Sequence, residues 1–215
     1  IVSSKRNNKK INKYGNEKQR KDLDPDNEQD QQILSYFDEK MKFYQAIDDK
    51  IFNTGTKLTL DGIKEKYSQT AIDTINKNFR AYMIASSNNN GYEQEESKEQ
   101  LLEKMLNQTE TELVDKLYKD IQKFEAENNV NVPDIINSDP KKLIVATKFI
   151  ERTQETVKSE EEKMSAEELN EVITDIAETK ENPELIVKNF DENLQPKNED
   201  KDPVGDNKAG EGAGE

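Results

Sequence analysis

Cysteine and histidine are both absent from this chain, and each absence removes chemistry. Without Cys there is no disulfide, no thiolate nucleophile and no Cys-based metal site. Reduced cytosolic proteins and disulfide-free exported proteins share that trait, so it leaves the compartment open. Without His there is no imidazole acid–base catalysis, no Ser–His triad and no Glu-x-x-His pair of the kind that builds carboxylate-bridged di-metal bundles. No Gly-rich phosphate loop, Gly-x-Ser-x-Gly or Lys-Thr-Gly pattern occurs either. Apolar residues are scarce: 31% of the chain, against roughly 45–50% in ordinary globular domains. Leu, Ile, Val and Phe together make up about a fifth, close to the level at which highly charged chains become disordered.

Charge is plentiful. Charged residues make up 36%, and the net charge is −14. The balance is uneven, because residues 1–21 hold eight cations against Glu17 alone, a net +7 that leaves −21 on the remainder. An acidic body repels phosphate, so nucleic acid is not an expected partner. The basic leader includes Lys5, Arg6, Lys9, Lys10 and Lys13. Beside a membrane, such residues are held to anionic lipid by roughly 1 kcal/mol per charge. The chain opens on Ile-Val rather than Met, and that apolar pair runs straight into SSKRNNKK. This is the expected look of a processed or excised end, either an ordinary disordered tail or the point where an anchor helix or a lipidated N-terminus meets its polar tether. Lone Tyr14 offers too little aromatic surface for base stacking.

Apolar residues are few but regularly spaced. Ser97–Glu127 carries Leu102, Leu106, Leu113, Leu117, Ile121 and Phe124 at steps of three, four and seven, the signature of one helical face. Ser97 and Gln100 form a capping box ahead of it. This stretch is the expected centre of the domain. A first helix is expected over 25–53, started by Asp24-Pro25, striped by Ile33, Phe37, Met41, Tyr44, Ile47 and Ile51, and ended by Asn53-Thr54-Gly55. Asp22, Asp24 and Asp26 echo a calcium loop, but Pro25 intrudes and Ile33 stands where the bidentate Glu belongs. A second helix is expected over 60–86, capped by Thr59 or Asp61, with Ile63, Tyr67, Ala71, Ile75, Phe79 and Tyr82 on one face. Asp139-Pro140 starts a fourth, running to about residue 162 through Leu143, Thr147 and Ile150. Ser165 and Glu168 box a fifth, over 166–179, that carries Ile173. Asn182-Pro183 opens a short sixth with Leu185 and Phe190.

The expected fold is therefore all-α: an antiparallel bundle of five to six helices over 25–195, with disordered tails at 1–24 (basic) and 196–215 (acidic). The expected core is Phe37, Met41, Tyr44, Ile63, Tyr67, Ile75, Phe79, Leu106, Leu113, Leu117, Ile121, Phe124, Ile150 and Ile173. The aromatics that crowd the first two helices read first as core packing; Tyr36, Phe43 and Tyr92 lie off or beyond the main stripes and are alternatively candidates for a partner-binding face. The 46 acidic residues fall on polar faces, where they read as solvated helix surface rather than catalytic pairs. No catalytic residue, metal or cofactor is expected.

In its layout (a Lys/Asn-rich tether, a Cys-free acidic helical bundle and a polar tail) the chain resembles the helical surface lipoproteins of spirochaetes and low-GC Gram-positive bacteria. The resemblance is one of organisation and carries no residue roles. It implies a non-enzymatic protein outside the cytoplasm, anchored to a bacterial membrane through its N-terminus, that binds a protein partner or supports an envelope assembly. Two other classes share the composition. One is a soluble intracellular assembly factor, such as a phage scaffold or a secretion chaperone. The other is an extracytoplasmic folding helper.

Overall fold

The computed structural model describes residues 23–87, 96–134, 139–155 and 163–190. Among them are seven helices and no strand: α1 (Glu28–Ile51), α2 (Leu60–Lys66), α3 (Gln69–Ser87), α4 (Lys98–Asn128), α5 (Pro140–Glu155), α6 (Ala166–Glu178) and α7 (Glu184–Val187). The protein is an all-α helical bundle. The basic segment with Lys5, Arg6, Lys9, Lys10 and Lys13, the tail from 196, and Tyr92 lie outside the described residues.

Helix starts follow local chemistry. The Ser97 hydroxyl accepts from the Gln100 amide at 3.2 Å, and the Gln100 side chain returns a bond to the Ser97 amide at 3.0 Å. The same reciprocal box joins Ser165 and Glu168 at the start of α6. These boxes satisfy donors that a bare helix end leaves orphaned. At α1 the cap is Asn27, whose side chain accepts from the Gln29 and Asp30 amides. Asp24 instead accepts from the Asp26 amide at 2.9 Å, which makes it a turn former ahead of the helix. Asn129 ends α4 in the left-handed region, a conformation that Asn adopts more readily than most residues.

α4 presents Met105, Thr109, Leu113, Leu117, Ile121 and Phe124 to the core. Its main neighbours are α3, α5 and α1. These residues form a ridge of mostly four-residue steps, and each such step drifts about 40° around the helix. The drift corrects the expected core. Leu106 is only half-buried, and Met105 and Thr109 take its place. Thr109 is accommodated because its hydroxyl donates to the Met105 carbonyl at 2.6 Å and accepts from Asn78 Nδ2 at 3.0 Å.

α5 shares the organising role. Leu143, Ile144, Val145, Ala146 and Thr147 are all buried in succession, because α4, α6, α2 and α7 all pack against α5. A helix enclosed on most sides needs apolar residues all round, not along one stripe.

Met41 is the second correction. It is half-buried, and Phe43 is buried in its stead. The Phe43 ring lies 5.6 Å from that of Phe79 and stacks on Tyr82 at 5.9 Å. Tyr36 packs edge-on against Phe79 at 5.3 Å. Phe43 is therefore a core residue, whereas Tyr36 is half-buried against that core. The other residues expected in the core are buried: Phe37, Tyr44, Ile63, Tyr67, Ile75, Phe79, Leu113, Leu117, Ile121, Phe124, Ile150 and Ile173. Leu23, which falls within the expected tether, is also buried and forms a small cluster with Ile33 and Phe37.

The expected second helix is two helices. The chain leaves helical geometry at Tyr67, which is extended at φ −104° and ψ 134°. Two polar contacts reward the break. The Tyr67 hydroxyl reaches a buried carboxylate on α1, and the first amide of α3, that of Gln69, donates to Glu151 Oε2 on α5 at 2.7 Å.

Candidate binding groove

Asp48 lies within the apolar row of α1, one residue after Ile47 and four after Tyr44, and is 2% exposed. A buried carboxylate is costly unless paired and hydrogen-bonded. Asp48 is both. The Tyr67 hydroxyl donates to its Oδ1 at 2.6 Å, and Lys66 Nζ lies 2.8 Å from the same oxygen. Lys66 also reaches Glu184 Oε1 at 2.9 Å and sits 3.7 Å above the centre of the Phe52 ring. One ammonium thus joins α1, α2 and α7, with a cation–π contact beneath it. Burial first, then the charge and hydrogen bond of Asp48, push the Tyr67 phenol far above its ordinary range. The phenol therefore remains a proton donor at physiological pH.

α7 spans only Glu184–Val187, too short to stand alone. The Lys66–Glu184 pair holds its start, where Asn182 Oδ1 also accepts the Glu184 amide at 3.2 Å. Just beyond its end, Phe190 packs edge-on against Phe149 of α5 at 5.4 Å. Between α2, α5 and α7 lies an open groove of about 860 Å³. Its floor is Val145, Phe149, Val187 and Phe190, and its walls carry Lys64, Lys66, Lys148, Arg152 and Lys188 against Glu65 and Glu184. Gly62 also lines it. A Cβ there would meet the Thr59 hydroxyl at 3.0 Å, the oxygen that caps α2 by accepting the Gly62 amide.

The wall cations differ in what they already hold. Lys66 has Asp48 and Glu184, and Lys148 has Glu151 at 2.9 Å. Lys64 and Lys188 are exposed and form no ion pair among the described residues. A smaller hollow of about 390 Å³ shares Lys64 and Lys148 with the groove and is also lined by Lys40, Tyr44 and Asn76. There the Tyr44 hydroxyl donates to Asn76 Oδ1 at 2.7 Å. Burial, then the nearby Arg80 charge, lower the Lys40 ammonium below its usual range, and burial foremost raises the Tyr44 phenol.

Sequence reasoning placed Tyr67 in the core but missed Asp48, Lys66 and Glu184. The available signal was Asp48 itself, an acid inside an apolar helical row. Its partners Lys66 and Tyr67 arrive from 18 and 19 residues further along the chain, and Glu184 reaches Lys66 from 118 residues beyond it, so no local pattern announces them. No group of three or more metal-ligating side chains occurs among the described residues, and no described helix is long and apolar enough to cross a membrane.

No protein-family model matches this chain, and comparison with curated proteins and with solved structures likewise gives no match.

Proposed function

We propose that this chain is a non-enzymatic helical binding or envelope-assembly protein of a low-GC bacterium, held outside the cytoplasm by a membrane tether that precedes its basic N-terminal segment. The observation that carries the binding role is the open groove between α2, α5 and α7, with an apolar floor and a surplus of cations on a chain of net charge −14. Charged walls around a small apolar floor suit recognition of a partner segment. A non-enzymatic role is supported by the use of Asp48. Tyr67 and Lys66 both engage its Oδ1, as in a structural ion pair, and the carboxylate is buried. The tether is supported by the concentration of cations at 1–21 beside an acidic body.

The test is the intact mass of the native protein, together with its partitioning into detergent from the source cell. A lipid-modified or detergent-partitioning chain supports the tether. An unmodified chain that stays in the aqueous phase overturns it and leaves an intracellular assembly factor as the reading to pursue.

A further inference from the structure

We infer that the α2–α5–α7 groove docks a short acidic segment of a partner protein, seated by an apolar side chain on Val187 and Phe190 and by carboxylates on Lys64 and Lys188. This rests on the binding role proposed above and names the partner's chemistry.

Three features select that occupant. First, size: about 860 Å³ lies in the range of pockets that hold a ligand or a few side chains, roughly 300–1,000 Å³, so the occupant is a segment and not a domain face. Second, charge: the groove lining has five cations and two acids, and Lys64 on α2 and Lys188 just after α7, which form no ion pair among the described residues, stand on different walls. An excess of cations complements acidic groups. Third, the floor: Val145 and Phe149 are 6% and 1% exposed, so the apolar surface within reach comes mainly from Val187, Phe190 and the lysine stems. That surface suffices for one or two apolar anchors.

The probe is a fluorescein-labelled synthetic peptide of sequence EDLEFDEDLEFD, with a counterpart in which Lys replaces each acid. Anisotropy titrations use the full chain. The expected result is binding of the acidic peptide alone, weakened when salt rises from about 0.1 to about 1 M and the screening length falls from roughly 10 to roughly 3 Å. The Lys64→Glu/Lys188→Glu variant, with an unchanged thermal melt, should bind about tenfold more weakly or worse. Zero-length carbodiimide cross-linking of the unaltered chain should join Lys64 or Lys188 to peptide carboxylates, which tests the site without any substitution. Absence of binding, or binding indifferent to the charge reversal, overturns the inference. So do cross-links from these lysines to residues 191–215 of the same chain in place of the peptide, self-association abolished by the variant, and displacement of the peptide by phosphatidylglycerol vesicles; these assign the groove to the chain's own tail, to a second copy and to a lipid surface respectively. Detergent partitioning is scored separately, so a failed tether and a failed groove are distinguishable.

Discussion

The Tyr67 hydroxyl donates to Asp48 Oδ1 across 2.6 Å, and both residues are almost wholly buried. This contact ties the break between α2 and α3 to the last turn of α1. Losing the phenol strips one donor from a buried carboxylate, whereas losing the carboxylate leaves the buried Tyr67 hydroxyl without its acceptor and removes one of the two acids on Lys66. Tyr67→Phe is therefore expected to cost about 1–3 kcal/mol, and Asp48→Ala more than that, because it unpairs the Tyr67 hydroxyl and loosens Lys66 together. Urea unfolding of the two variants checks the ordering. A milder effect for Asp48→Ala than for Tyr67→Phe would show that Lys66 is satisfied without Asp48.

The same burial predicts how stability changes in alkali. Tyr36, Tyr44, Tyr67 and Tyr82 all have phenols raised above the ordinary value, with burial the leading cause. A raised value means that the folded chain keeps these protons after the unfolded chain has released them. The stabilisation is complete below the unfolded value, about 10, and is lost as pH climbs above it. Denaturation midpoints should thus fall above about pH 10, and the fall should be shallower in Tyr44→Phe/Tyr67→Phe. Equal slopes in the two proteins would assign the loss to other groups.

Leu117 and Leu106 belong to one helix but not to one environment. Leu117 is 0% exposed, and Leu117→Ala should cost roughly 2–5 kcal/mol, the lost transfer free energy plus the cavity left behind. Leu106 is half-buried on the flank, and Leu106→Ala should cost clearly less. Thermal melts of the pair decide whether the four-step ridge, and not the heptad-like row through Leu102 and Leu106, faces α3.

Removing residues 197–215 should leave the melting temperature unchanged, because a segment this polar cannot offset its ordering entropy by burial. A clear drop would show that the tail docks on the bundle.

Much of the architecture was legible locally. Capping boxes at Ser97 and Ser165 act within three residues, and the 3.6-residue period of apolar positions reports burial wherever a helix has one covered face. That is why Leu113, Leu117, Ile121 and Phe124 could be placed in the core. The same logic misplaced Met41 and Leu106, because residues bordering a stripe are buried or exposed according to how the neighbouring helix crosses, and crossing is not encoded in spacing. In α5 the spacing gives a stripe through Leu143, Thr147 and Ile150 with Ile144, Ala146 and Phe149 beside it, and enclosure by the neighbouring helices adds Val145.

By itself, the sequence determined an all-α chain with most of its helix boundaries, an acidic body and a basic leader, since capping, periodicity and charge act over a few residues or by composition alone. Only the tertiary structure decided that the helix expected over 60–86 breaks at Tyr67, that Asp48 is an interior residue, and that α2, α5 and α7 leave a cation-walled groove between them. Each depends on partners far apart in sequence. Lys66 meets Glu184, and Gln69 meets Glu151, only after the bundle has closed. A buried charge gains its value from that meeting, so its role is invisible until the chain has folded.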